Sequence, residues 1–197
     1  MSHATSANNS SGWLGGFLLL AATLFTLAAP AADLATLGER GANPRLQEAI
    51  AILADAKASG AGAATVARRA IKSAGYQAGA AKLTADALLR NLDIASKLGC
   101  LDATNLAAMH RGHAPTIRTG PYAGEQATVD HIIPRAIVPE LDHVIANLEL
   151  LPARLNESKG DKISARQLAL ARKFHQARLL STAGLTAVEA AAARTKP

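Results

Sequence analysis

The chain has 197 residues, of which 49% are hydrophobic but only 3% aromatic, and its formal net charge is +6. This length indicates one domain with a sizeable core, and the shortage of aromatic residues favours helices that pack through alanine and leucine. The single cysteine, Cys100, excludes a disulfide framework within the chain and a Cys-based zinc ribbon, and we expect it to be a small buried residue. The positive charge favours an anionic partner, nucleic acid or a membrane surface, although solubility alone would also explain it.

The N-terminal segment, residues 1–31, is predicted to be a leader. A polar stretch is followed by an apolar one from Trp13 to Ala29, and an A-x-A pattern ends at Ala31. These features are typical of a secretory signal peptide, which would export the protein to the periplasm or the medium. Because no Lys or Arg precedes the apolar stretch, an uncleaved membrane anchor and a buried helix stay open as alternatives. Membrane contact is expected only through residues 13–32.

Residues 32–109 are predicted to form a helical accessory region. Asn43 as the N-cap and Pro44 as the first helical residue predict a helix start. A second helix is predicted over residues 63–74, and a third begins near Thr84, where leucines recur at helical spacing. No group of residues with catalytic chemistry stands out in this region.

The helical periodicity stops at His110, and a loop rich in glycine and proline follows as far as Glu125. A short strand is predicted near Thr116. Arg118 is a candidate for contact with phosphate, because basic loops next to a strand often bind phosphate groups. His110 and His113 lack a partner at metal-ligand spacing, and we interpret them as surface residues.

The next segment predicts two strands and a short helix. Residues 127–133 are rich in β-branched side chains, and residues 147–151 form a second apolar run that a proline follows. A helical turn is predicted over residues 154–159. If the strands pair antiparallel, Asn147 lies close to His131.

Three short sequences in this segment resemble the motif of the HNH endonuclease family, which has the ββα-metal fold. They are Asp-His-Ile-Ile-Pro at 130–134, Asn-Leu-Glu-Leu-Leu at 147–151 and Leu-Asn-Glu-Ser-Lys-Gly at 155–160. The resemblance covers residues 110–163. Many members of that family pin the motif with a structural zinc on two Cys-x-x-Cys pairs. Since this chain has one cysteine, no structural zinc is expected, and the motif must be braced by packing against the flanking helices.

The residue types suit the hydrolysis of a phosphodiester. The neutral imidazole of His131 is a suitable general base near pH 7. The Asp130 carboxylate and the Asn156 side-chain carbonyl offer oxygen ligands for a divalent cation, Mg²⁺ in the first place and Mn²⁺ as an alternative. The resemblance adds Asn147 to the catalytic set, as the residue that orients the loop or the His131 ring.

Two cations close to the motif are candidates for phosphate binding. Lys159 lies three residues after Asn156 on the predicted helix, and Arg135 follows the first strand. The motif also carries a geometric difficulty, because strict alternation along a strand would put Asp130 and His131 on opposite faces. We therefore expect a twisted and distorted hairpin, as the resemblance implies.

The C-terminal end of the chain is basic and is predicted to be helical. Capping-box patterns that begin at Ser164 and Thr186 predict helices over residues 164–181 and 186–194, separated by Gly184. Their lysines and arginines are either solvated surface or part of a channel for DNA.

The predicted fold class is therefore α+β and mostly helical, with a ββα-metal motif at 110–163 between helices of 32–109 and 164–197. The predicted function is a metal-dependent HNH endonuclease that cleaves DNA with little sequence specificity and needs no small-molecule cofactor. RNA is not excluded as a substrate. Two alternatives stay open: a nucleic-acid-binding protein with an inactive motif, and a membrane-anchored helical interaction protein.

Overall fold

The computed structural model of the protein describes residues 41–160 and 162–194, so the leader predicted at 1–31 lies outside the described residues. Within them the protein is mostly helical and has a small antiparallel sheet, which confirms the α+β class. None of the described helices is both long enough and apolar enough to cross a bilayer. The elements in chain order are α1 (Ala42–Ala58), α2 (Ala63–Ser73), α3 (Ala78–Lys97), α4 (Ala103–Met109), β1 (Ala127–His131), β2 (Leu148–Pro152), α5 (Ala153–Ser158), α6 (Ala165–Gln176) and α7 (Thr182–Arg194).

Strands β1 and β2 form an antiparallel hairpin that runs from the pair Ala127–Pro152 to the pair His131–Leu148. Both strands begin or end within two residues of the predicted positions. Two short 3₁₀ helices, Pro139–Leu141 and Ile145–Asn147, occupy the connection between them. Alternate residues of β2 are buried, beginning with Leu148, so one face of the hairpin rests on the core.

Helix α2 begins at Ala63 as predicted, but α1 and α3 start earlier than predicted. The N-cap of α1 is Gly41 rather than Asn43. Pro44 is tolerated inside the first turn because backbone N–H groups there have no partner within the helix. Helix α3 begins at Ala78 instead of near Thr84. The alanines at its start favour a helix, but they do not mark one face by large apolar residues at helical spacing, so the hydrophobic periodicity does not reveal the first turns.

Helix α4 was not predicted, and a buried asparagine connects it to the loop that follows. Asp102 caps the helix, since its carboxylate accepts a hydrogen bond from the backbone N–H of Asn105 at 3.0 Å. That bond and the neighbouring Arg118 guanidinium lower the pKa of Asp102. The Asn105 carboxamide in turn accepts from the backbone N–H of Thr116 at 2.9 Å and donates to its carbonyl at 2.8 Å. Thr116 therefore forms only an isolated bridge with Gln126 in place of the predicted strand.

The two C-terminal helices divide at a different point from the one predicted. The capping box at Ser164 is confirmed, but α6 ends at Gln176. The second capping box is wrong, because Thr186 lies inside α7 and its hydroxyl donates to the carbonyl of Thr182 at 3.0 Å. Gly184 is also inside α7, where an added Cβ would meet the Glu140 carboxylate and a methyl group of Leu180, so these side chains would have to shift. Gly184 therefore serves close packing and does not end a helix.

Helix α3 supplies side chains that satisfy the backbone of β2. The buried Asn91 carboxamide accepts from the N–H of Leu150 at 2.8 Å and donates to the carbonyl of Leu148 at 2.9 Å. The Arg90 guanidinium donates to the same Leu148 carbonyl at 2.9 Å, and burial lowers its pKa. A two-stranded hairpin is at best marginally stable alone, and these bonds give β2 a partner on its outer edge.

Side chains from α1 and α6 form hydrogen bonds with the backbone of strand β1 and of the residue after it. Gln47 of α1 donates to the carbonyl of Ala127 at 3.0 Å, and Gln167 of α6 donates to the carbonyl of Ile132 at 2.6 Å.

Cys100 is fully buried as expected, and burial raises the pKa of its thiol to about 11. The thiol is therefore protonated near neutral pH and unsuited to act as a nucleophile.

Candidate active site

A cleft of about 570 Å³ opens at the end of β1. Its walls come from the end of β1, the loop after it and the end of α5. The lining residues are Asp130, His131, Pro134, Arg135, Ala136, Pro139, Asn156, Lys159 and Gly160. The structure thus brings together five of the seven site residues predicted from the sequence and leaves out Asn147 and Arg118.

Strict alternation along β1 would put Asp130 and His131 on opposite faces of the sheet, but the cleft lies at the end of the strand and both residues reach it. Asp130 and His131 are the last two residues of the strand, and both border the cleft. Their side chains are 13% and 21% exposed, so both are shielded from bulk solvent but reachable. Because the cleft covers the strand end and not one sheet face, consecutive residues contribute to it together.

The His131 ring is oriented by Asp142, which lies in the connection between the strands. Its Nε2 lies 3.0 Å from the Asp142 carboxylate and 3.2 Å from the Asp142 carbonyl oxygen. Both oxygens are acceptors, so Nε2 carries the hydrogen in the neutral ring. The lone pair is then on Nδ1, to which no described residue makes a hydrogen bond. His131 is therefore in the tautomer that accepts a proton at Nδ1.

The segment that carries Asp142 is itself anchored to α1. The buried guanidinium of Arg45 donates to the carbonyl of His143 at 2.9 Å, and burial lowers its pKa. Arg135 and His143 lie farther from the Asp142 carboxylate, at 3.8 and 3.9 Å, and both point largely into solvent. Asp142 was not found by sequence reasoning, because an acidic residue in an irregular loop gives no local signal for a contact 11 residues away.

Asn156 presents an oxygen to the same cleft. Its Nδ2 donates to the Thr128 hydroxyl at 3.0 Å and to the Val129 carbonyl at 3.4 Å. Since a carbonyl only accepts, the nitrogen must face β1, and the side-chain oxygen faces the other way. No described residue donates a hydrogen bond to that oxygen.

The oxygens of Asp130 and Asn156 fit a hard divalent cation such as Mg²⁺, which is commonly held by one or two protein ligands plus water and phosphate. Among residues 41–160 and 162–194, no group of three or more His, Cys, Asp or Glu side chains is placed to hold a metal. A cation at this cleft would therefore depend on the amide oxygen of Asn156 and on water. Lys159 also contacts Asp130, through an ion pair with the carboxylate.

Asn147 lies behind the cleft and not in it. It is fully buried, and its carboxamide accepts from the Ile133 N–H at 2.8 Å and donates to the Ile133 carbonyl at 3.0 Å. Its backbone oxygen accepts from Ile132 at 2.7 Å, which continues the hairpin by one step. These contacts are those of a residue that holds the loop after His131, and the place of Asn147 in the catalytic set stays a prediction.

Arg118 is not placed to bind a phosphate in the cleft. Its Nε lies 3.1 Å from the carboxylate of Asp102, the residue that caps α4. The Arg118 N–H also donates to the carbonyl of Leu98 at the end of α3, so its backbone is fixed there. Arg135, in contrast, lines the cleft and is 67% exposed, as a phosphate-binding residue requires.

Comparisons with protein-family models, with curated proteins and with solved structures find no match for this chain. The function is therefore argued from the residues and the geometry of the cleft.

We predict that Asn147→Ala lowers the free energy of unfolding by about 2–4 kcal/mol, because it leaves a buried backbone N–H and C=O without partners. The matched variant Asn156→Ala removes the same carboxamide from a partly exposed position, and its cost should stay below about 1 kcal/mol. Urea denaturation of both variants measures the difference. Equal losses of stability would contradict the positioning role of Asn147.

Proposed function

We propose that the protein is a metal-dependent endonuclease that hydrolyses phosphodiester bonds in DNA, and that β1, β2 and α5 form a ββα-metal motif of the HNH type. One observation carries the proposal. His131 has its Nε2 hydrogen directed to Asp142 and its Nδ1 lone pair without a described partner, in a cleft that also holds the oxygens of Asp130 and Asn156. A base and two oxygen ligands in one cleft match the requirements of phosphodiester hydrolysis.

The reaction follows from these positions. Nδ1 of His131 takes a proton from a water molecule, whose oxygen attacks the phosphorus while the bond to the leaving sugar oxygen breaks. The leaving oxygen takes a proton from solvent and departs as a hydroxyl group. The Asp142 carboxylate stabilises the imidazolium that forms. A divalent cation held by Asp130 and Asn156 would supply positive charge to the scissile phosphate.

The positive charge of the protein and its exposed cations near the cleft suit binding to the sugar-phosphate backbone of DNA. The chain carries a formal net charge of +6, and cations make backbone contacts that do not depend on base sequence. Arg135 at the cleft is one candidate for such a contact. Lys162 and Arg166 follow the cleft residue Gly160 in the chain, and both are exposed. Export through the predicted leader would keep a nuclease of low specificity away from the genome of the cell that makes it.

We predict that the wild-type protein nicks plasmid DNA with Mg²⁺ or Mn²⁺ and that EDTA abolishes the cleavage. His131→Ala should lower the rate about 10²–10⁴-fold, the usual contribution of a general base. The matched control is His113→Ala, because that side chain is exposed and lies outside the cleft. Its rate should equal that of the wild type.

Other outcomes of this assay identify the alternatives. Salt-dependent DNA binding without cleavage under either metal would indicate an inactive motif in a binding protein. Absence of any DNA affinity would leave the helical interaction protein as the explanation. Full activity of His131→Ala would contradict the assigned base, and cleavage in the presence of EDTA would contradict the metal. Preference for an RNA substrate of equal length would change the substrate class but not the chemistry.

The orientation of His131 generates a second prediction, about Asp142. Asp142→Ala should lower kcat about 10–100-fold, the loss expected for a hydrogen bond to a charged partner. KM for DNA should stay equal or fall, because the substitution removes a negative charge next to the cleft residue His131. Asp142→Asn keeps an oxygen that accepts from Nε2 and should recover part of the rate. Single-turnover cleavage measures both variants. Equal rates for Asp142→Ala and the wild type would show that the backbone carbonyl alone orients the ring.

A further inference from the structure

Lys159 occupies an unusual place for a surface lysine. Its ammonium forms an ion pair with the Asp130 carboxylate and donates to the His131 carbonyl at 2.8 Å. The two paired side chains are 21% and 13% exposed, whereas the exposed pair Lys82–Asp86 has 76% and 56%. Lys159 is thus directed into the cleft and away from solvent.

The local chain geometry accounts for this direction. Helix α5 ends at Ser158, and Lys159 continues the helical turn three residues after Asn156, so both side chains lie on the same side of the helix. Gly160 then turns the chain with a positive φ of 60°. Asn156, Lys159 and Gly160 line the cleft together.

The ammonium therefore sits on the carboxylate that the proposed function assigns to the metal. A divalent cation on Asp130 and the Lys159 ammonium on the same group would be two positive charges at contact distance, and they repel each other strongly in a partly buried cleft. The ion pair and the metal–carboxylate bond are for this reason competing states.

We propose that Lys159 competes with the divalent cation for Asp130, so that cation binding releases the ammonium and makes it available to a phosphate group of the substrate. This inference rests on the proposed function. It gives Lys159 two opposite effects. The residue weakens cation binding, because the ion pair must break, and it strengthens substrate binding, because the released ammonium can contact a phosphate.

The test measures Mn²⁺ affinity of the full chain without substrate, by the electron paramagnetic resonance signal of free Mn²⁺. Lys159→Gln should bind Mn²⁺ about tenfold more tightly than the wild type, since it removes a repelling charge at contact distance. Lys159→Arg keeps the charge and should bind no more tightly than the wild type. Lys162→Gln is the matched control for the loss of one charge nearby, because that residue is exposed and does not line the cleft.

In cleavage assays at saturating Mn²⁺, Lys159→Gln should raise KM for DNA several-fold, the reverse of its effect on the metal. Thermal denaturation confirms that each variant is folded, and Lys159→Arg gives an independent comparison if Lys159→Gln does not fold. Equal Mn²⁺ affinity of folded Lys159→Gln, Lys162→Gln and wild type, while the wild type still cleaves DNA, would overturn this inference alone. Absence of Mn²⁺ binding by every protein would overturn the proposed metal as well.

Discussion

The hairpin and the loops beside it depend on buried side-chain carboxamides, which form the backbone hydrogen bonds that a neighbouring strand would otherwise form. Asn91, Asn105 and Asn147 each accept a hydrogen bond from a backbone N–H and donate one to a backbone carbonyl. All three are at most 3% exposed. Buried backbone groups without partners are costly, and a hairpin of two strands cannot supply partners for its own outer edges. Asn91 and Gln47 supply them to the strands from α3 and α1, and Gln167 supplies one to Ile132 just after β1. Asn105 and Asn147 do the same for the loops at Thr116 and Ile133.

This bracing gives an irregular segment the rigidity that the proposed catalysis requires. The connection from β1 to β2 carries Asp142, which orients His131, and it is closed at its base by Asn147 and tied to α1 by Arg45. His131, the proposed general base, is the last residue of β1, and Asp142, which orients it, lies on a loop whose ends are joined by the hydrogen bonds between Asn147 and Ile133. In this chain side-chain hydrogen bonds to the backbone hold the loop, and the sequence offers no pair of cysteines for a zinc to do so.

The local part of this architecture was predictable, and the long-range part was not. β-branched residues and flanking prolines predicted the hairpin to within two residues, and the resemblance to the HNH motif implied that Asp130, His131 and Asn156 share one site. The start of α3 was missed because alanine gives no apolar pattern. Helix α4 had a usable signal in its cap, Asp102. The roles of Asn91 and Asp142 had none, because an asparagine inside a helix and an aspartate in a loop look like ordinary surface residues until their distant partners are known.

The most direct test of the account is the position of metal and substrate in a crystal of the His131→Ala variant with Mn²⁺ and a DNA duplex. Anomalous scattering locates the Mn²⁺ independently of the phases from the protein. The account predicts a Mn²⁺ ion in contact with the Asp130 carboxylate, the Asn156 side-chain oxygen and a DNA phosphate, with the Lys159 ammonium moved off Asp130. DNA or Mn²⁺ bound elsewhere, with this cleft free of phosphate, would contradict it.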